Sequence, residues 1–189
     1  KPRAAFPEAV RQAAAAGRPV HYLPPYRADN AIVLSELLGI HVKELKAKAS
    51  AAFIKASVDQ RILKSKEEIR EIESAVAVSR EMYLAAMKLA KPGRYEYQVS
   101  GAMEGIALAY GMHMAFPPIV TVNGQIFHMH SHDNLLTRGR LLVCDCGAEA
   151  ASGYASDITR SVPVGGRFNA RQKAVYEVVL AGQQSAIKS

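Results

Sequence analysis

The sequence predicts an α+β fold in which helices precede and follow a group of antiparallel strands. Apolar residues recur at helical spacing over residues 65–91 and 96–110. Short extended segments with turn signals then occupy residues 117–164, and a last helical pattern covers residues 169–187. Strands and helices do not alternate one by one, and the sequence has no glycine-rich phosphate loop, so a Rossmann-type domain is excluded.

Length and composition narrow the class of protein. The 189 residues are 49% hydrophobic and 22% charged, which is normal for a soluble globular protein. The formal net charge is +7, but Glu alternates with Lys and Arg along KSKEEIREIE, and long runs of one charge do not occur. We therefore predict no nucleic-acid partner. Since no apolar run approaches about 18 residues, we also predict no membrane span.

The two cysteines, Cys144 and Cys146, are spaced i, i+2 on one predicted strand. Side chains at that spacing share a face of the strand and do not easily meet disulfide geometry. We therefore expect reduced thiols and a cytoplasmic protein.

Residues 1–58 are predicted to be the end of an N-terminal domain. FPEAVRQAAAAG is helical in composition, and Asp29 or Asn30 is predicted to cap a helix over AIVLSELLG that Gly39 ends. Residues 41–56 are predicted to form one further helix. This is too little chain for an independent core, and both ends of the sequence are expected to be cut.

From residue 59 onward the elements are better defined. Ser65 and Glu68 form a capping box at the start of a long helix, which Pro92-Gly93 ends. A second helix runs from Glu96 to Tyr110. Its predicted inward residues are Val99, Met103, Ile106 and Tyr110, and those of the first helix are Ile69, Ile72, Val76, Tyr83 and Met87.

Four extended segments follow: PPIVTV, GQIFHMH, RLLVCDCGAEA and YASDITRSVPV. Turn-forming residues separate them, which favours antiparallel pairing. Asn169 and Gln172 then form a capping-box-like start to the final helix.

The most informative segment is CDCGAEAASGYASDITRS, residues 144–161, which holds Asp145 and Asp157 on either side of a small turn. If the segment forms a hairpin about position 151, the two aspartates lie directly opposite, with Cβ atoms about 4.5–5.5 Å apart. Two ionised carboxylates that close repel each other unless a positive charge intervenes. Hard divalent ions prefer carboxylate oxygens, so the pair suits two such ions.

The spacing alone leaves a structural interpretation equally open. Asp145 then pairs with an arginine such as Arg160, and Asp157 only flanks a turn. However, an aspartate within the apolar run LLVCDC is unusual, because a buried carboxylate must be paired or coordinated.

The segment DCGAEAASGYASDITRSVPVGGRFNARQKAVYEVVL resembles the first metal-binding segment of the pita-bread metallopeptidases, which include aminopeptidase P, prolidase and methionine aminopeptidase. Cys146 stands where alanine is usual, and Val162-Pro163 stands where the family has Phe-Pro. ILKSKEEIREIESAV is similar to the helix that opens the catalytic domain of Xaa-Pro peptidases, and FPPIVTVNGQIFHMH is similar to a later strand. The resemblance covers about residues 60–189 and is greatest to aminopeptidase P.

This resemblance implies that residues 59–189 are the first α/β half of a pita-bread catalytic domain, and that residues 1–58 are the C-terminal remnant of a creatinase-like domain. It implies Asp145 as a ligand to one metal ion, Asp157 as a bridge between two ions, commonly manganese, and His128 as a residue of the substrate pocket. The implied reaction is hydrolysis of an N-terminal Xaa-Pro bond by a hydroxide held between the ions.

The resemblance implies a site with five metal ligands, of which this chain would supply two, Asp145 and Asp157. The remaining histidine and two glutamates are expected in the missing second half, since no histidine follows Asp157 and Glu177 is predicted to face solvent. We therefore expect this chain alone to be inactive. Its expected partners are that second half, an Xaa-Pro peptide and further copies of itself.

Other interpretations stay open. His128, His130 and His132 alternate along one predicted strand, as zinc ligands on one face would. A prolidase-type dipeptidase shares the same motifs. An inactive relative that binds peptides or proteins is a third possibility, although such relatives usually lose the ligand aspartates.

Overall fold

The computed structural model describes residues 3–129 and 131–188, and the chain divides between Lys64 and Ser65 into two compact units. The predicted domain boundary lies after residue 58, a few residues before this division. A helix runs through the predicted boundary and ends at Ile62. The origin of the first unit as a remnant of a creatinase-like domain stays a prediction.

The first unit is helical. After a short 3-10 helix at Arg3–Ala5, its helices are α1 (Phe6–Ala15), α2 (Ala28–Leu38), α3 (Val42–Lys48) and α4 (Ala51–Ile62).

Local side-chain chemistry sets the helix ends of this unit. Gly39 ends α2 in the left-handed conformation, with φ 64°, as predicted. The predicted cap at Asp29 or Asn30 is wrong, because α2 begins at Ala28 and Arg27 is its N-cap residue. The single helix predicted over residues 41–56 is also wrong. Ser50 interrupts it and caps α4 by accepting a hydrogen bond from the Phe53 N–H at 3.2 Å.

The second unit follows the predicted order of helix, helix, strands and helix. None of the helices in the described part of the chain combines the length and apolarity that a membrane crossing needs. The elements of the second unit are α5 (Lys66–Leu89), α6 (Glu96–Ala109), β1 (His113–Met114), β2 (Ile119–Thr121), β3 (Leu141–Cys146), β4 (Ala148–Glu149), β5 (Ile158–Pro163) and α7 (Ala170–Lys188).

The capping box that opens α5 is confirmed. Ser65 Oγ accepts a hydrogen bond from the Glu68 N–H at 3.3 Å, and Glu68 Oε2 accepts one from the Ser65 N–H at 2.6 Å. These reciprocal bonds satisfy amide donors that have no partner within the helix.

The predicted inward face of α5 is partly wrong. Ile69, Val76 and Met87 are each more than two-fifths exposed. Small residues on the actual buried face allow α5 to approach α6 and the strands closely. That face consists of Ala75, Val78, Ser79, Met82, Tyr83 and Ala86. On α6, Val99 and Met103 are buried as predicted, whereas Tyr110 is exposed.

The strands form two antiparallel sheets. In the larger sheet, β3 lies between β2 and β5, and its Asp145 pairs with Ile119 on one side and Thr159 on the other. In the smaller sheet, β1 pairs with β4. The buried faces of α5 and α6 pack against these strands and form the core.

The strand predicted over GQIFHMH is wrong for its described residues, 124–129, and His130 lies outside the described residues. After β2 ends at Thr121, the Ile126 N–H donates to the Asn123 carbonyl at 2.8 Å, which closes a turn. The next strand, β3, begins at Leu141. The described residues between Thr121 and Leu141 therefore cross from one strand to the next mainly as a loop.

The register of the β3–β5 hairpin differs from the predicted one. Cys146 pairs with Ile158 and Glu149 bridges to Ala155, so the hairpin is centred on residue 152 and not on 151. The turn explains this shift, because Gly153 occupies the left-handed region with φ 82° at the end of the loop over residues 151–153. The register places Asp157 opposite Gly147, and not opposite Asp145.

Candidate functional site

Asp145 and Asp157 lie on one face of the hairpin as diagonal neighbours. Asp145 is paired with Thr159, two residues after Asp157, and side chains two residues apart on a strand share a face. Diagonal neighbours of this kind lie roughly 7–8 Å apart, farther than directly opposed residues. The two carboxylates are thus on the same side, as predicted, with more room between them than the predicted register would leave.

One open cavity of about 390 Å³ brings both aspartates together with the predicted pocket residue His128. Four apolar side chains form the rest of its lining. These are Phe116, Pro117 and Ile119 at and before β2, and Met129 on the loop that follows β2.

The Asp145 carboxylate is largely buried, but few polar groups among the described residues stabilise its charge. Its side chain is 9% exposed and accepts one hydrogen bond from the described residues, from the Thr159 hydroxyl to Oδ1 at 2.7 Å. Within the described residues, no Lys, Arg or His nitrogen lies within 4.0 Å of it. The predicted alternative partner, Arg160, donates instead to the Thr159 carbonyl. Asp145 therefore retains the capacity to bind a cation.

Glu96 provides an internal comparison. It is fully buried, and its two oxygens accept hydrogen bonds from the Val122 N–H at 2.7 Å, the Asn134 side chain at 3.0 Å and the Asn134 N–H at 3.4 Å. Three N–H donors satisfy this carboxylate. Glu96 joins Val122 to Asn134 within the loop that carries His128, so its role is structural.

Asp157 lies just before β5 and is exposed to the cavity. Its carboxylate accepts no hydrogen bond from the part of the chain that the structure describes. The half-satisfied buried carboxylate and the exposed one in the same cavity are both available as oxygen ligands for a hard divalent cation, although the described residues bring no third His, Cys, Asp or Glu to them as a ligand.

His128 has an unusual backbone conformation. Its φ is 65°, the one positive value that a non-glycine residue adopts among the described residues. Its ring lies 4.8 Å from that of Phe127, centroid to centroid, at an angle of 56°. Histidine tolerates this region better than bulky residues do, and such conformations concentrate at functional sites.

Of the other two histidines of the alternative zinc site, the described one, His132, does not line the cavity that holds His128. His130 lies outside the described residues. His132 Nε2 is 3.0 Å from the Pro118 carbonyl oxygen, and the described residues on either side of His130 are not in a strand. The alternation along one strand face, on which that alternative depended, is therefore missing.

Both cysteines are free, and their side chains are at most 1% exposed. Burial raises the pKa of both thiols, that of Cys146 to about 11, where the neighbouring Asp145 carboxylate adds to the effect and a hydrogen bond with Tyr83 opposes it. Both residues are thus protonated members of the core.

Neither cysteine is expected to react with iodoacetamide in the native protein at about pH 8, because both thiols are inaccessible and the thiolate is scarce. Mass spectrometry of the alkylated protein measures this. Denatured protein, as the control, should be alkylated at both positions. Alkylation of either residue before unfolding would contradict the buried placement of β3.

Sequence reasoning missed several residues of the site. Thr159 lies two residues after Asp157, so the alternation of side chains along a strand is a sufficient signal for its proximity to the carboxylates. Phe116 and Met129 gave no comparable signal, because their convergence depends on how β2 and the following loop return to β3. The sequence pattern indicates Glu96 only as the start of a helix.

The sequence profile of metallopeptidase family M24 matches residues 70–189. The Xaa-Pro aminopeptidase of Haemophilus influenzae is 35% identical over 136 residues, which cover 69% of this chain and 31% of that protein. The Xaa-Pro dipeptidase of Pyrococcus horikoshii is 34% identical over 155 residues, which cover 78% and 44%. The solved structure of the Pseudomonas aeruginosa aminopeptidase PepP matches with a TM-score of 0.75 and 29% identity, over 96% of this chain and 42% of that chain.

These matches define the fold as that of the pita-bread peptidases, which confirms the predicted α+β class and the resemblance to aminopeptidase P. The chain belongs to metallopeptidase family M24. It spans less than half the length of each of the three proteins compared above.

Proposed function

We propose that the protein carrying this chain hydrolyses the peptide bond between an N-terminal residue and a following proline, using divalent metal ions that Asp145 and Asp157 help to hold. The shared cavity of the two carboxylates and His128, in a chain of a metallopeptidase family, is the observation that carries this proposal. The name of the Haemophilus influenzae relative, Xaa-Pro aminopeptidase, supports the substrate class.

The donor set suits hard divalent ions. Asp145 offers a largely buried carboxylate with one described hydrogen-bond donor, and Asp157 offers a carboxylate that accepts none from the described residues. In this proposal Asp145 would help to hold one ion, and Asp157 would be a ligand shared by two ions. A bound ion would polarise the scissile carbonyl and activate a water molecule for attack.

The remaining cavity residues would orient the substrate. In this proposal His128, which lines the cavity together with Met129, hydrogen-bonds the peptide near the scissile bond. Phe116, Pro117 and Ile119 would contact apolar parts of the peptide and keep water from the reacting bond.

The finer parts of the proposal rest on the family resemblance. They are manganese as the metal, a histidine and two glutamates outside this chain as the other ligands, a homo-oligomer, and a cytoplasmic location. Free, buried cysteines agree with a reducing compartment. Without the other ligands, residues 1–189 would not complete the site.

The full-length protein with added Mn²⁺ is expected to release the first residue from a peptide of several residues with proline second. The measurement is product formation by chromatography for that peptide and for a Xaa-Pro dipeptide. A peptide with alanine in place of proline, and a reaction with a chelator, serve as controls. Cleavage of the longer peptide supports an aminopeptidase.

Cleavage of the dipeptide alone would instead support a prolidase-type dipeptidase, which the 34% identity to the Pyrococcus horikoshii Xaa-Pro dipeptidase keeps as a second candidate. If neither is cleaved although the protein binds Mn²⁺, a binding function without catalysis replaces the proposal.

A further inference from the structure

Helix α5 presents two hydroxyl groups to the hairpin that carries both aspartates. Ser79 and Tyr83 are four residues apart, so they lie one turn apart on the same face of the helix. Both are buried, with Ser79 fully buried and Tyr83 5% exposed. The sequence suggested Tyr83 only as a member of an apolar stripe.

The Tyr83 hydroxyl contacts the backbone next to each aspartate. It accepts a hydrogen bond from the Cys146 N–H at 3.1 Å and donates to the Ile158 carbonyl. Cys146 directly follows Asp145, and Ile158 directly follows Asp157. A single phenol group thus joins the two strands at the positions adjacent to both carboxylates.

Ser79 acts on the other side of Asp157. Its Oγ lies 2.7 Å from the Oγ of Ser156, the residue before Asp157. The Ala148 N–H donates to both hydroxyls, at 3.2 Å and 3.0 Å. The residues on both sides of Asp157 are therefore held from α5.

Asp157 needs such support because of where it lies. It precedes the first residue of β5, and the residue opposite it in the register is Gly147, which has no side chain to pack against it. Burial raises the pKa of the Tyr83 hydroxyl well above its ordinary value, so the group stays protonated and able to donate.

We infer that the Tyr83 hydroxyl is a positioning group that fixes the spacing of the Asp145 and Asp157 carboxylates for metal binding. Ser79 supports Asp157 in the same way. The inference rests on the proposed function, since the spacing matters only if both carboxylates bind metal. Metal sites depend on such outer contacts, whose loss commonly costs 10–100-fold in metal affinity or activity.

The test compares Tyr83→Phe with Tyr22→Phe in the full-length protein. Tyr22 is a matched control because it is also buried, 8% exposed, and donates to a backbone carbonyl, that of Leu45 at 3.0 Å, in the first unit. The affinity for Mn²⁺ alone is measured by calorimetry, and kcat and KM are measured with a Xaa-Pro peptide. Thermal unfolding monitors the general loss of a buried hydrogen bond.

Tyr83→Phe is expected to raise the Kd for Mn²⁺ about tenfold and to lower kcat with little change in KM. Tyr22→Phe is expected to change neither, although both variants should unfold at similar, slightly lower temperatures. An unchanged Kd in Tyr83→Phe, or an equal loss in Tyr22→Phe, would overturn the inference. If Tyr83→Phe does not fold, Ser79→Ala is measured in its place, and an unchanged Kd there would overturn it equally.

Measurements on the wild-type protein distinguish a failure of this inference from a failure of the proposed function. A wild-type protein that binds no Mn²⁺ and cleaves no Xaa-Pro peptide refutes the proposed function and, with it, the positioning role. A wild-type protein that does both, beside a Tyr83→Phe variant with the same constants, refutes the positioning role alone.

Discussion

Replacing Asp145 by asparagine is expected to abolish Mn²⁺ binding and Xaa-Pro cleavage together in the full-length protein. The change removes the negative charge of a largely buried side chain but keeps its shape and an oxygen that can accept the Thr159 hydroxyl. Since loss of outer contacts alone costs 10–100-fold, loss of a ligand should cost more than about 100-fold in Kd. Calorimetry with Mn²⁺ and the peptide assay measure the two effects.

Asp133→Asn is the matched control. Asp133 is an exposed aspartate that does not line the cavity, so its charge is removed without touching the proposed site. Circular dichroism checks that both variants fold. Cleavage that survives in Asp145→Asn, at a rate near that of Asp133→Asn, would refute the assignment of Asp145 as a metal ligand.

Replacing Gly147 by alanine is expected to have the second large effect, this time on stability. A Cβ at this position would overlap the carbonyl oxygen of Ser156 and lie 2.5 Å from its carbon. These are backbone atoms of the segment before β5, so the hairpin must open to relieve the overlap. We expect a loss of about 3 kcal/mol in the free energy of unfolding, measured by urea denaturation.

Gly105→Ala gives the contrast. Gly105 lies within α6, and a Cβ there would meet no atom within 4 Å beyond the helix itself. Alanine should therefore stabilise that helix by about 0.5–1 kcal/mol. If Gly147→Ala were as stable as the wild type, the close approach of β3 and the segment before β5 would be wrong, and with it the placement of Asp157.

Much of the secondary structure was predictable because its signals are local. The capping box of Ser65 and Glu68 and the left-handed Gly39 act between residues no more than four apart. The sequence likewise showed that Asp145 lies within an apolar strand and that it shares a face with Asp157. It also showed the resemblance of the whole segment to a known family.

Other predictions failed at places where distant contacts or turn geometry determine the local structure. The predicted hairpin register was off because it ignored that Gly153 supplies the left-handed residue at the end of the turn loop. The described residues of the strand predicted over GQIFHMH instead belong to a loop in which Glu96 joins Val122 to Asn134, a long-range contact that no local pattern reveals. The apolar stripe of α5 was misjudged because small residues, and not only large apolar ones, face the closely packed strands.

The sequence by itself determined the α+β order and most helix starts and ends. It also singled out the two aspartates as candidate metal ligands and indicated membership of a metallopeptidase family. The tertiary structure alone decided that the aspartates are diagonal and not opposed, that Asp145 is half-satisfied while Glu96 is fully satisfied, and that Tyr83 contacts the residue after each aspartate. The physical reason is that caps and strand faces depend on neighbours within one turn or two residues. Register, burial and hydrogen-bond satisfaction depend on atoms that only folding brings together.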